Sequence, residues 1–151
     1  MSDRIHIITH DVAKAYQEAL YVIHGEGGDI WLRVGQASLG LASLMKIYGV
    51  KSAAFLTAIN PHSILAAAEV NVKNQNALID DIHTLGLRHI SGDGGDPSHL
   101  WPSEPSVLVL DISHQNAELL ADRYRQNAYL WISGDDGLVN LNLRYPVGGP
   151  H

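Results

Sequence analysis

Apolar positions recur along the chain with two spacings, and the change between them marks out the elements. Val12, Ala15, Tyr16, Ala19 and Leu20 fall at helical spacing after Thr9 and Asp11, both suited to cap a helix N-terminus. Leu20-Tyr21-Val22-Ile23 could equally begin a strand, since branched and aromatic residues favour a pleated surface. The turn-forming run Gly25-Glu26-Gly27-Gly28-Asp29 precedes a short strand over 30–34, and the two strands can pair as a hairpin. Residues 39–48 read as a helix with Leu41, Leu44, Met45 and Tyr48 on one side and Gly49 at its end.

The run 53–59 is apolar throughout, as a central strand requires, and it stops at Asn60-Pro61 because proline cannot donate to a ladder. A helix over about 65–85 follows, closed by Gly86. Residues 87–90 fit a strand entering a loop over 91–102. Val107-Leu108-Val109-Leu110 is the clearest strand, expected to be buried on both faces. A helix over 117–124 has Ser113 as its cap. A terminal hairpin pairs 129–132 with 138–143 across the turn Ser133-Gly134-Asp135-Asp136-Gly137. Strands and helices interleave, while two hairpins break strict alternation. The fold class is therefore α/β (α+β): a single-domain sandwich over 1–151 with a mixed β-sheet and helices packed on its face or faces.

Composition narrows the function. A chain of 151 residues, 46% hydrophobic and 17% charged, buries roughly two-thirds of its surface and needs no staples. It has no cysteine, which removes disulfides, thiolate metal sites and cysteine nucleophiles together. A net charge of −6 repels phosphate backbones, so duplex nucleic acid is not the expected partner. It still permits a nucleotide held by backbone amides. The start, Met1-Ser2-Asp3-Arg4-Ile5-His6, has no signal-peptide run, so a cytoplasmic location away from membranes is expected.

The helix after Asn60-Pro61 is the most informative element. Asn71, Asn74, Leu78, Ile82 and Leu85 fall on one stripe, ordinary core in its second half but amides where leucines would be expected in its first. Buried amides need partners. They either bond loop backbone, or face a cavity with Thr57, Asn60 and Ser63 at a helix N-terminus suited to a polar ligand. Glu104, entering a buried strand between Pro102 and Pro105, is the candidate acid or base, and a salt bridge to Arg33 or Arg125 is the bland alternative. Asn127 reads as a left-handed helix cap, an excuse Gln126 lacks. His89, Asp93, Asp96 and His99 sit at tempting intervals for a metal but match no known ligand spacing, so no metal site is assigned. GxSxG, HExxH, GxGxxG and GxxxxGK[ST] are all absent.

Taken in order, five stretches have a collective resemblance. They are Leu32-Arg33-Val34-Gly35-Gln36-Ala37-Ser38; Ala54-Phe55-Leu56-Thr57-Ala58-Ile59-Asn60-Pro61-His62-Ser63; Asn71; Trp101-Pro102-Ser103-Glu104-Pro105-Ser106-Val107-Leu108-Val109-Leu110; and Gln126-Asn127-Ala128. This succession resembles the bacterial family known as domain of unknown function 3293, over roughly 16–141. The resemblance implies ten polar positions of one shared site: Arg33, Ser38, Thr57, Asn60, Ser63, Asn71, Glu104, Ser106, Gln126 and Asn127. It carries no activity and no cofactor. Ile59 stands where that family often has an aromatic residue, and Asp111 and Arg125 stand where it has glycine.

The expectation is a pocket for a small polar or phosphorylated ligand, of the nucleotide or sugar class. Glu104 would serve as acid or base of a hydrolysis or transfer and Arg33 as an anion clamp. The alternative is a non-catalytic interaction module whose polar residues only pin loops, with an apolar patch near Trp31, Trp101 or Trp131.

Overall fold

The apolar runs become strands of one sheet, and the helical stripes pack onto it. A computed structural model describes residues 6–95 and 103–148. In chain order the elements are α1 (His10–Glu18), β1 (Leu20–Gly25), β2 (Gly28–Leu32), α2 (Leu39–Tyr48) and β3 (Ser52–Leu56). A short 3₁₀ turn (Pro61–Ser63) leads to α3 (Ala68–Thr84), β4 (His89–Gly95), β5 (Glu104–Leu110), α4 (His114–Arg123), β6 (Ala128–Ser133) and β7 (Leu138–Leu143). The strand order is β2-β1-β4-β5-β3-β6-β7.

The α+β class is as expected, but the sheet is not mixed: every ladder between these strands is antiparallel. The connections explain why. Strands β3 and β4 run the same way around α3, with β5 between them; β5 and β6 run the same way around α4, with β3 between them. Each crossover skips one strand, so two interlocked split βαβ units make an antiparallel sheet from an interleaved sequence. The β1–β2 hairpin extends one edge and β7 the other.

Alternation along the strands sends residues to two cores. Ala54, Leu56, Val107 and Val109 meet Leu78 and Ile82 of α3 and Ala117, Leu120 and Ala121 of α4. Ala53, Phe55, Leu108, Leu110, Leu130 and Ile132 face the other way, against Leu41 and Met45 of α2 and Tyr21 and Ile23 of β1. On that second side the sheet curls until its edges meet. Gly35 N–H donates to the Val139 carbonyl at 2.8 Å, Val139 N–H to the Gln36 carbonyl at 3.1 Å, and Ser38 N–H to the Gly137 carbonyl at 3.0 Å.

Two elements start or end away from their expected positions. The glycine-rich stretch after Ile90 is strand up to Gly95, where a loop was expected. A Cβ on Gly92 would lie 2.3 Å from the Val22 carbonyl oxygen and 2.9 Å from the Phe55 ring. Glycine is there because neighbouring groups press on the backbone, not because the chain turns. Helix α3 begins at Ala68, not near Leu65, because the chain is still extended at Ala67 (ψ 146°) and Ala66 N–H is held by Asn60 Oδ1.

The left-handed residue after α4 is Arg125 (φ 53°), two positions before the Asn127 expected there. Arg125 N–H bonds the Asp122 carbonyl and Gln126 N–H the Ala121 carbonyl, which is the Schellman pattern and prefers glycine at the position of Arg125. Asp111 likewise has φ 64°. The two places where the resembled family carries glycine are thus both left-handed here.

Two outcomes follow for urea denaturation. Gly92→Ala loses about 3 kcal/mol or more, because backbone and an aromatic ring must both move. Arg125→Gly gains up to about 1 kcal/mol, relief of left-handed strain outweighing the added freedom of the unfolded chain.

Candidate functional site

Strand β3 ends at Leu56, and from there side chains replace the ladder. Thr57 Oγ1 donates to the Pro105 carbonyl at 2.7 Å and accepts from Ile59 N–H at 3.2 Å. Gln75 Oε1 on α3 accepts from Ala58 N–H at 2.9 Å. Asn60, itself left-handed at φ 49°, makes a reciprocal pair with Asn71. Its N–H donates to Asn71 Oδ1 at 2.9 Å, and its Oδ1 accepts from Asn71 Nδ2 at 2.8 Å and from Ala66 N–H at 3.0 Å. Asn60 Nδ2 then reaches Glu104 Oε1 at 3.4 Å.

The turn after α4 clasps the same loop from the opposite side. Gln126 Nε2 donates to the Ile59 carbonyl at 3.1 Å and the Tyr124 carbonyl at 3.2 Å. The Arg125 carbonyl accepts from His62 N–H at 2.8 Å. Asn127 Nδ2 donates to Ser63 Oγ at 3.1 Å, while its Oδ1 faces His6 Nε2 at 2.8 Å. Ser63 Oγ is also hydrogen-bonded to the Tyr16 hydroxyl of α1.

These bonds frame a cleft of about 900 Å³ inside the curl of the sheet. Its apolar side includes Tyr21, Phe55, Leu130 and Leu141, α1 contributes Val12, Ala15 and Tyr16, and Ala19 follows just past the helix end. Thr57, Asn60, Ser63, Glu104, Ser106 and Gln126 supply polar groups. Six of the ten positions named from sequence therefore meet at one cleft. Asn71 lies behind Asn60 in an adjoining hollow, and Asn127 lies one bond behind Ser63.

Arg33 and Ser38 do not join them. Ser38 caps α2, its hydroxyl accepting from Leu41 N–H at 3.2 Å. Arg33 is exposed just past edge strand β2, in the segment that goes on to close the sheet onto β7. The Leu32–Ser38 stretch serves that closure, so no anion clamp stands in the cleft at Arg33.

Glu104 is half-buried, and the Asn60 amide is its hydrogen-bond partner among the described residues. Neither Arg33 nor Arg125 pairs with it. Burial pushes its carboxyl above the ordinary carboxylate range, and the Asn60 bond offsets part of the rise. Burial likewise raises the Tyr16 phenol, against the bonds from Ser63 and Asn127, so that hydroxyl keeps its proton at neutral pH. His62 is lowered by burial, then by the neighbouring His6 and Arg125.

The histidine and aspartate spacing leads elsewhere. Asp93 Oδ2 meets His24 Nε2 at 2.7 Å on the surface, and the His89 ring lies beside His83 at 5.3 Å. Asp96 and His99 fall outside the described residues, as does Trp101. Among the described residues no group of three or more such side chains is placed to hold a metal.

Gln75 and Tyr16 are the participants that sequence reasoning missed. The inward stripe of α3 is Asn71, Gln75, Leu78 and Ile82, with Asn74 off the cleft and Leu85 39% exposed. The i, i+4 step from Asn71 would have found Gln75. Tyr16 carried only the signal of an apolar helix position.

The segment 56–129 matches the family model described as "Protein of unknown function (DUF3293)". It contains Thr57, Asn60, Ser63, Asn71, Glu104, Ser106, Gln126 and Asn127, and it leaves out Arg33 and Ser38. Neither a curated protein nor a solved structure matches the chain.

A carboxyl raised by burial favours folding while it is protonated and opposes it once pH passes its folded pKa. Glu104→Gln should therefore melt higher than the unaltered protein at pH 7.5, with the gap closing toward pH 4. Differential scanning calorimetry at both pH values checks this, and a lower melting temperature at pH 7.5 contradicts it.

Proposed function

We propose that this chain binds a small molecule in the cleft between α1 and the curled sheet. The bound molecule has an apolar body and a hydrogen-bonding head, and Glu104 is the group that exchanges a proton with it. The observation that carries this reading is Glu104 itself: a half-buried carboxyl lining an open cleft, held by an amide and, among the described residues, by no cation. Structural carboxylates are usually paired with Arg or Lys, whereas one raised by burial in a cleft suits general acid or base work. Hydrolysis or group transfer is the reaction class that needs no more than this.

The apolar wall of Tyr21, Phe55, Leu130 and Leu141 moves the ligand away from a purely polar sugar. The phosphorylated end of the expected class loses support with Arg33 outside the cleft. Lys14 is the one cation among the described lining residues, against Asp11, Glu18 and Glu104. The interaction-module alternative draws on the pinning bonds of Thr57, Asn71, Gln75 and Asn127, and on Trp31, which is 58% exposed on β2. That pinning also builds the cleft wall, so the two roles coexist in the same side chains.

The experiment is a thermal-shift screen with nucleosides, sugars, amines and carboxylates, run in parallel on Ala15→Trp. Ala15 is exposed on α1 and lines the cleft, so the tryptophan fills the space without entering the core. A true ligand at one hundred times its Kd stabilises the unaltered chain by about 2.7 kcal/mol. It leaves Ala15→Trp unshifted. Equal shifts in both, or none in either, count against the cleft.

A further inference from the structure

The chemical class of the ligand's head can be read from what each polar atom in the cleft still has to offer, given the cleft-binding role proposed above. Thr57 is spent, its hydroxyl donating to Pro105 and accepting from Ile59. Asn60 Oδ1 already accepts twice.

Gln126 is different. It is 5% exposed, and one end of its amide sits between two carbonyl oxygens, so that end must be the NH₂ group. Its Oε1 then has no hydrogen-bond partner among the described residues, and since none of their fully buried side-chain polar atoms is left unpartnered, Oε1 is open to solvent. Gln126 lines the cleft, so the cleft is where Oε1 is reached.

Two further acceptors lie close by. Ser106, 4% exposed, donates its hydroxyl proton to the Glu104 carbonyl at 2.9 Å, leaving lone pairs to offer. Glu104 Oε2 has no partner among the described residues, and the two side chains share one face of β5. Gln126 is tied to Ile59, the neighbour of the Asn60 that holds Glu104, so the three groups gather at the end of β3. On the donor side, Lys14 lies 3.9 Å from Glu18, and the Tyr16–Ser63 pair has one hydroxyl proton left between them.

We propose that the cleft selects a head group that is a cationic N–H donor, an amidinium, guanidinium or primary ammonium. Gln126 Oε1, Ser106 Oγ and the Glu104 carboxylate accept its hydrogens, and an apolar body lies against Tyr21 and Phe55. Buried acceptors left unpaired penalise any ligand that cannot donate, which is how such a site rejects an anion of the same shape.

The test uses three probes of one size: benzamidine, benzyl alcohol and benzoate, titrated by calorimetry into the whole chain at pH 7.5. Benzamidine should bind at least tenfold more tightly than benzyl alcohol, and benzoate should give no heat of binding. Glu104→Gln and Ser106→Ala should each weaken benzamidine several-fold and benzyl alcohol, an uncharged donor, less, with circular dichroism confirming the fold of both. Benzoate binding as well as benzamidine, or benzamidine indifferent to both variants, overturns the head-group assignment and leaves the cleft reading standing. Binding of all three that survives Ala15→Trp, or no binding by any probe, overturns both.

Discussion

A strand that stops inside a protein leaves backbone donors and acceptors with no ladder to join, and their desolvation has to be answered by side chains. At the end of β3 that answer comes from amides: Gln75 for Ala58, Asn71 for Asn60, Asn60 for Ala66, and Gln126 for Ile59. An unmet group there would cost about 1–3 kcal/mol, so several together rival the whole stability of a small domain. The loop is consequently rigid where loops are ordinarily loose. It can hold Asn60, His62 and Ser63 in left-handed conformations that the backbone alone disfavours.

Rigidity of that loop matters because the cleft is built around it. The split βαβ connections put α3 and α4 together on one face of the sheet, which leaves the other face to curl around α2 and a hollow. Glycines 92 and 94 remove side chains from the inner face of β4, and the Phe55 and Tyr21 rings use the room, 5.8 Å apart and edge to face. The same construction that satisfies the loop therefore also shapes the space beside it.

Within that space, Glu104 works against stability. A leucine would bury there more favourably, and an arginine neighbour would settle the charge. The chain supplies an asparagine whose other atoms are already committed to Asn71 and Ala66, which fixes the carboxyl in place without neutralising it. Among the described residues no helix is long and apolar enough to cross a membrane.

Local pattern accounts for much of what is observed. Helix α2 lies at the predicted 39–48 and α1 follows its Thr9 cap, because both depend on spacing and capping within a few residues. Asn60, Glu104 and Gln126 were each legible as an amide or carboxylate out of place among apolar neighbours, while only the family resemblance implied that they share a site. What local pattern could not decide was direction and distance. Whether β3 and β4 pair directly or admit β5 between them leaves no mark on periodicity, so an interleaved sequence looked mixed and proved antiparallel. Arg33 and Ser38 carry the same polar signature as the cleft residues, yet Ser38 caps α2 and Arg33 lies exposed past β2. Gln75 displaced Asn74 from the inward stripe because Ala58 N–H, contributed by another segment, happened to need it. A sequence states which groups require partners; the folded chain decides which partners are near enough, since hydrogen bonds and packing act over ångströms and the sequence records only order.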